Sequence, residues 1–393
     1  MINFSLPAEV LEIINRIEAA GFEAWCVGGC VRDMLRGAEP DDFDLASNAP
    51  SEMVLELFER VIPTGLKHGT VTVLINQIPF EITRYRIDGE YTDSRRPDSV
   101  KFTENIENDL SRRDFTINAI AYHPERGLFD PFGGEKDIKK GVVRTVGEAD
   151  KRFSEDALRI FRAIRFSAKL GFKIEESTLN SVIKNAESLK AVSAERIATE
   201  LLKTLTSDAP SSLEALINAG GLESFGINKA GSFKKLDEIP KDEMLRFSAL
   251  CILGKSEAPK TADKLRFSNI QKRKTEEFFA LLKEEKLSLP FIKANCKSIG
   301  LQSAKDAAKA WGIIHSINSE SLEKEIEKAI ADNHPYLPEH LEISGRHIKA
   351  LGFSGEEIGA IQRALLDMVR EDPSLNEKEC LKKLAKNFRK AQK

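Results

Sequence analysis

The stretch "WCVGGCVRDMLRGAEPDDFDLAS", residues 25–47, limits what this chain can become more than any other. "EAWCVGG" reads as a short apolar strand ending in two glycines, "CVRDMLRG" as a short helix closing at Gly37, and "DDFDLAS" as a second strand. Alternate residues of a strand share a face, so Asp42 and Asp44 point the same way and Asp41 the other. Two like charges a few ångströms apart repel, and the pair is a liability unless a divalent cation neutralises it. Hard, oxygen-seeking Mg²⁺ suits two carboxylates best. Upstream, the Gly28-Gly29 turn feeds a helix N-terminus whose free N–H groups favour a phosphate, and Arg32 adds a cation in its first turn. A phosphate cradle followed by a metal site suits nucleotidyl transfer, in which a 3′-hydroxyl attacks the α-phosphate of a nucleotide.

The rest of the first third extends the sheet. "TVTVLI" and "IPFEITRYR" form a hairpin about Asn76-Gln77. Glu81, on the second of these strands, is a candidate third carboxylate or an exposed hairpin residue. Beyond Gly141 the periodicity is helical almost throughout, as in "EDALRIFRAIRFSAKLGF", "AERIATELLKTL" and "KTEEFFALLKEEKL". The fold class expected is α+β, a small mixed sheet with helices followed by an all-α remainder. A length of 393 residues fits several domains.

Composition bounds the setting. No apolar run approaches the ~18 residues of a membrane span. The N-terminal segment reads as an amphipathic helix rather than a cleavable leader, and five scattered cysteines fit reduced thiols. A cytoplasmic protein is expected. The net charge of −3 hides a basic end, "EKECLKKLAKNFRKAQK", with seven Lys/Arg against two Glu. That end is either a solvated helix or a phosphate-contacting surface.

Four further blocks follow the opening one: "RRDFTINAIAY" (112–122), "DPFGGEKDIKKGVVR" (130–144), "EDALRIFRAIRF" (155–166) and "AERIATELLKTL" (194–205). In this order they resemble the motifs of the polymerase β-like nucleotidyltransferase superfamily, and within it class II tRNA CCA-adding enzymes and bacterial poly(A) polymerases. The resemblance implies a catalytic head (1–140), a neck that reads the base (141–205), a body (206–285) and a tail that binds tRNA (286–393). It implies template-independent addition of CCA to the tRNA 3′ end from CTP and ATP. Asp42 and Asp44 would be catalytic and hold Mg²⁺. Gly29, Arg32 and Arg113 would hold the nucleotide's phosphates, with Arg162 and Arg165 near the same pocket.

Asp156 and Arg159 would read the incoming base, and their chemistry explains how. A carboxylate only accepts and a guanidinium only donates. Cytosine and adenine both place an amino donor beside a ring-nitrogen acceptor, whereas guanine and uracil place a carbonyl beside a ring N–H. A site left with unpaired polar groups rejects the wrong partner by roughly 10⁴-fold. The polar segment 86–102 is similar to a flexible loop that CC-only members lack, which argues against CC-only addition. Addition of A alone or of poly(A) stays open as an alternative, and so does a non-catalytic RNA-binding protein on this fold. No histidine precedes an aspartate, so no appended His-Asp phosphohydrolase domain is expected.

Overall fold

The computed structural model describes residues 4–89, 100–229 and 231–390. They form two compact units, Met1–Ser224 and Phe225–Lys393.

In the first unit, α1 (Ala8–Ala19) buries Val10, Ile13, Ile14 and Ile17, the i, i+3, i+4, i+7 stripe of an amphipathic helix. The opening stretch folds as read: β1 (Ala24–Val27), α2 (Gly29–Leu35), then β2 (Asp44–Ser47). After α3 (Ser51–Leu57) come β3 (Val61–Gly65), β4 (Thr70–Ile75) and β5 (Ile78–Arg84). The β4–β5 turn carries Asn76 and Gln77 at φ 51° and 67°, the paired left-handed backbone of a two-residue hairpin. With β8 (Ala121–His123) and β9 (Gly127–Phe129) these strands make one sheet in the order β3-β4-β5-β2-β1-β8-β9. Its pairs are antiparallel except β2–β5, which run parallel with Asp44 opposite Glu81. Trp25, Val27, Ala46, Tyr85 and Ala121 bury one face against Ile106 and Leu110 of α4 (Ile106–Ser111).

The expected loop at 86–102 begins and ends as a two-stranded ribbon, β6 (Arg86–Asp88) against β7 (Val100–Phe102). Its residues 90–99 lie outside the described ones. Then α5 (Gly134–Lys140) precedes a short parallel pair, β10 (Val142–Val143) with β11 (Lys173–Ile174). The segment "EDALRIFRAIRFSAKLGF" is not one helix: α6 (Ala149–Glu155) ends, and α7 (Leu158–Leu170) starts afresh. Asp156 is extended at φ −145°, and its Oδ1 accepts from the Leu158 N–H at 3.0 Å, satisfying a donor that the new helix would leave orphaned. The unit closes with α8 (Glu176–Asn185), α9 (Ala194–Leu205), packed on α7, and α10 (Leu213–Asn218).

The second unit is helical: α11 (Glu243–Leu253), α12 (Ala258–Lys264), α13 (Asn269–Lys283), α14 (Leu289–Asn295), α15 (Gly300–His315), α16 (Glu320–Ala331), α17 (Gly345–Ala350), α18 (Glu356–Glu371) and α19 (Lys378–Lys390). Asp242 caps α11, and a Ser268–Gln271 capping box starts α13. Helices α17, α18 and α19 share a core of Ile348, Phe353, Leu365, Leu366, Val369 and Leu381. The basic last segment therefore buries an apolar stripe and is not a wholly solvated helix. No described helix is long and apolar enough to cross a membrane.

Candidate active site

A cleft of about 630 Å³ in the first unit is lined by Gly29, Arg32, Asp42, Asp44, Glu81, Arg113, Asp156, Arg159, Arg162 and Arg165. All nine residues expected to act on the nucleotide or metal therefore meet at one place, joined by Glu81. The volume is on the scale of a small-molecule site. Although the whole chain is slightly acidic, eight cationic side chains face five carboxylates in this lining.

The carboxylates converge because of the parallel β2–β5 pairing. Asp44 opens β2 directly across from Glu81. Asp42 precedes the strand and is exposed, so it reaches the cleft from the incoming loop and not by strand alternation. Asp41 is exposed and lies outside the lining. Burial, then the charges of Asp42 and Glu81, push the Asp44 carboxyl up to about 6, against a weaker pull from Arg113. The neighbouring carboxylates thus add like charge to a group already penalised by burial.

A divalent cation fits this donor set. Among the described residues no three His, Cys, Asp or Glu side chains converge as a complete metal cage. A Mg²⁺ site does not require one, because that ion keeps water and substrate phosphates beside one or two carboxylates.

The glycine turn is constrained from two directions. Gly28 sits at φ 76°, ψ −124°, backbone that side-chain-bearing residues avoid, and a Cβ there would lie 2.8 Å from Nη1 of Arg113. Arg113 donates weakly to Asp109 (3.3 Å) and to the Asn118 carbonyl (3.5 Å), and its buried Nε has no partner among the described residues. Asp109 is fully buried. Burial alone would raise its carboxyl, but the guanidiniums of Arg112 and Arg113 outweigh burial and hold it below the usual range.

Behind the cleft wall runs a chain of alternating charge. Arg32 forks onto Asp33 (3.0 and 2.7 Å) and donates to Asn118 Oδ1 at 2.8 Å. The amide of Asn118 donates to Asp114, which takes Nε of Arg162 at 2.7 Å. Arg162 and Arg165 then share Glu200, at 3.9 and 2.5 Å. Asp114 does not cap an α-helix, because "FTINAIA" forms only a single 3₁₀ turn at Thr116–Asn118. Burial would raise this carboxyl too, but Arg162 and Asn118 prevail and keep it ionised.

The base-reading candidates are held by protein partners. Asp156 Oδ2 takes Arg196 at 2.7 Å. Arg159 donates to Glu155 at 2.6 Å and to the Arg112 carbonyl at 3.0 Å. The Glu155–Arg159 pair spans the α6–α7 break, so it joins two helices and is not a contact along one helical face. Arg196, Asn118, Phe166, Glu200 and Asp109 escaped the sequence reading of the site. The i, i+4 pair Arg196 and Glu200 in the last block was the available signal for two of them.

Comparison with known proteins bears out the resemblance. Residues 24–144 match the family described as the poly A polymerase head domain, and residues 171–225 match a probable RNA and SrmB-binding site of polymerase A. The CCA-adding enzyme of Leuconostoc mesenteroides is 48% identical over 213 residues, 53% of each chain. That of Geobacillus stearothermophilus is 42% identical over 228 residues, 58% of this chain and 56% of the other. The chain thus spans about half the length of the curated relatives it matches. The crystal structure of the Bacillus stearothermophilus CCA-adding enzyme in complex with CTP superposes with a TM-score of 0.80 at 28% identity, covering 99% of both chains. The Thermotoga maritima CCA-adding enzyme complexed with tRNA shares the fold, with a TM-score of 0.66 at 21% identity over 98% of this chain and 96% of that one.

Proposed function

We propose that this chain, with its poly(A) polymerase head and the RNA-binding segment that follows, is a tRNA nucleotidyltransferase. It adds C, C and A to the tRNA 3′ end from CTP and ATP without a nucleic-acid template. The observation that carries the reading is that the Asp42–Asp44 pair shares one cleft with Asp156 and Arg159, far away in the sequence. One of these pairs suits phosphoryl chemistry and the other suits base selection.

In this reading the tRNA 3′-hydroxyl attacks the α-phosphorus, a new P–O bond forms, and pyrophosphate leaves. Asp42 and Asp44 would hold Mg²⁺, which would supply positive charge to offset that of the phosphates and to favour deprotonation of the attacking hydroxyl. Arg32 and Arg113 grip the phosphates, Arg113 with a buried Nε–H that has no acceptor among the described residues, and Gly29 gives the backbone close access. Arg162 and Arg165 add positive charge alongside. Asp156 accepts from the exocyclic amino group of C or A while Arg159 donates to the neighbouring ring nitrogen. Arg196 and Glu155 hold these two readers in place before the nucleotide arrives.

The head (1–140) and neck (141–205) perform the chemistry, and the body (206–285) and tail (286–393) hold the acceptor arm of tRNA by shape and phosphate contacts. Five free cysteines suit a reducing, cytoplasmic setting.

The head match is described in terms of poly(A) polymerase, which keeps poly(A) or A-only addition as a second reading. Three tRNAs, ending before CCA, after the first C and after CC, distinguish these outcomes. Each is incubated with Mg²⁺ and CTP or ATP, and the ends are sequenced. CCA addition extends all three correctly. Extension of the last alone, by A, identifies an A-adding enzyme, and long A tracts identify a poly(A) polymerase. No extension of any of them removes the catalytic reading.

A further inference from the structure

Resting on the nucleotide-binding reading of the cleft, we infer that Phe166 is a positioning residue whose aromatic face fixes the phosphate-gripping Arg32 relative to Arg162 and Arg165 of the base-reading helix. The ring is buried, lines the cleft, and packs edge-on against Phe115 with centroids 5.7 Å apart. Three guanidiniums lie over it: Cζ of Arg165 at 4.2 Å from the centroid, Arg162 at 5.2 Å and Arg32 at 5.4 Å. Significant cation–aromatic contacts arise about once per 70–80 residues, so three on one ring is a cluster and not scatter.

Three cations brought together repel, and the negative face of a ring offsets part of that repulsion where water is scarce. Arg162 also has Asp114 and shares Glu200 with Arg165, and Arg32 has Asp33 and Asn118, but these partners lie on different elements. Phe166 is the group all three share. Arg32 comes from α2 in the sheet layer and the other two from α7, so the ring joins the phosphate grip to the helix that carries Arg159 two turns earlier. Asp156 and Arg159 form their hydrogen bonds elsewhere. Loss of the aromatic face therefore weakens the hold on the triphosphate while leaving the choice of base intact.

The test replaces Phe166 by phenylalanines of increasing ring fluorination, which keep the shape while weakening and then reversing the charge on the face. Phe166→Leu and Phe166→Tyr complete the set. KM and kcat for CTP are measured on tRNA lacking CCA and for ATP on tRNA ending in CC, with GTP and UTP misincorporation and melting temperature alongside. KM for both nucleotides is expected to climb along the fluorination series, by roughly 5- to 30-fold at full fluorination. The kcat, the misincorporation ratio and the melting temperature stay level, and Phe166→Tyr stays near the wild type. A flat KM across the series, or one that only follows melting temperature, overturns the positioning role. If the wild type adds nothing to any tRNA, it is the nucleotidyl-transfer reading that fails.

Discussion

The two adjacent glycines should respond to alanine in opposite ways. Gly28 lies at φ 76°, ψ −124°, and a methyl there meets Nη1 of Arg113 at 2.8 Å. Backbone strain of this kind costs about 1–3 kcal/mol. For a unit of this size each kcal/mol lowers the melting temperature by 2–4 °C, so Gly28→Ala should lose roughly 2–12 °C. The steric conflict is with the end of a flexible side chain, so it resolves by moving Arg113 and appears in function. Losing a charge-assisted contact worth about 1.5–3 kcal/mol corresponds to a roughly 10- to 150-fold rise in nucleotide KM. Gly29 is helical with no positive φ, and its nearest side-chain atom, Nη2 of Arg32, is at 3.7 Å. Gly29→Ala should be neutral or gain up to about 1 kcal/mol, because alanine restricts the unfolded chain. Thermal melts and steady-state CTP incorporation on both variants decide the matter. Equal destabilisation of the two, or a Gly28→Ala protein as stable as the wild type, refutes the reasoning.

Millimolar Mg²⁺ should raise the melting temperature of the wild type and leave that of Asp44→Asn unchanged, and Asp44→Asn should lose nucleotide addition while retaining its circular dichroism. Arg196→Ala frees Asp156 Oδ2 and should raise misincorporation of GTP or UTP by roughly tenfold, about the 1–1.5 kcal/mol of one hydrogen bond, with CTP turnover less affected. Asp109→Asn leaves Arg112 and Arg113 without their buried carboxylate and should cost roughly 3 kcal/mol at neutral pH, measured by urea unfolding. Because the native carboxyl of Asp109 is held low, its stabilisation is present above the ordinary aspartate range near pH ~4 and is lost as pH falls through the native value. The acid limb of the wild-type stability profile should therefore be steeper than that of Asp109→Asn.

The strand, glycine turn, helix and strand of residues 24–47, and the hairpin about Asn76-Gln77, were legible because each is set by local chemistry: apolar runs, a double glycine and a turn pair. The residues of the cleft were legible through their motifs. The α6–α7 break was hidden, because residues 155–172 have unbroken helical periodicity. What ends the helix is Asp156 turning its side chain onto the Leu158 N–H, a choice between two hydrogen-bonding options that periodicity does not weigh. The part Asp114 plays in the cleft wall was likewise hidden, since its partner Arg162 is supplied by tertiary packing. Arg196 and Phe166 were missed for the same reason: one looks like a surface cation and the other like a core aromatic until α9 and α2 are brought to α7.

The parallel β2–β5 pairing has a consequence for the birth of the protein. Asp44 meets Glu81 only if two strands separated by a helix and a hairpin find each other in register, and a slip of one residue would turn Glu81 away. The cleft also needs Asp114, and then Arg196 to steady Asp156. A nascent chain made at about 5–20 residues per second has Asp42, Asp44 and Glu81 synthesised well before it has a complete cleft. On the proposed reading, a half-made chain lacks the complete cleft until Arg196 has been made and folded into place.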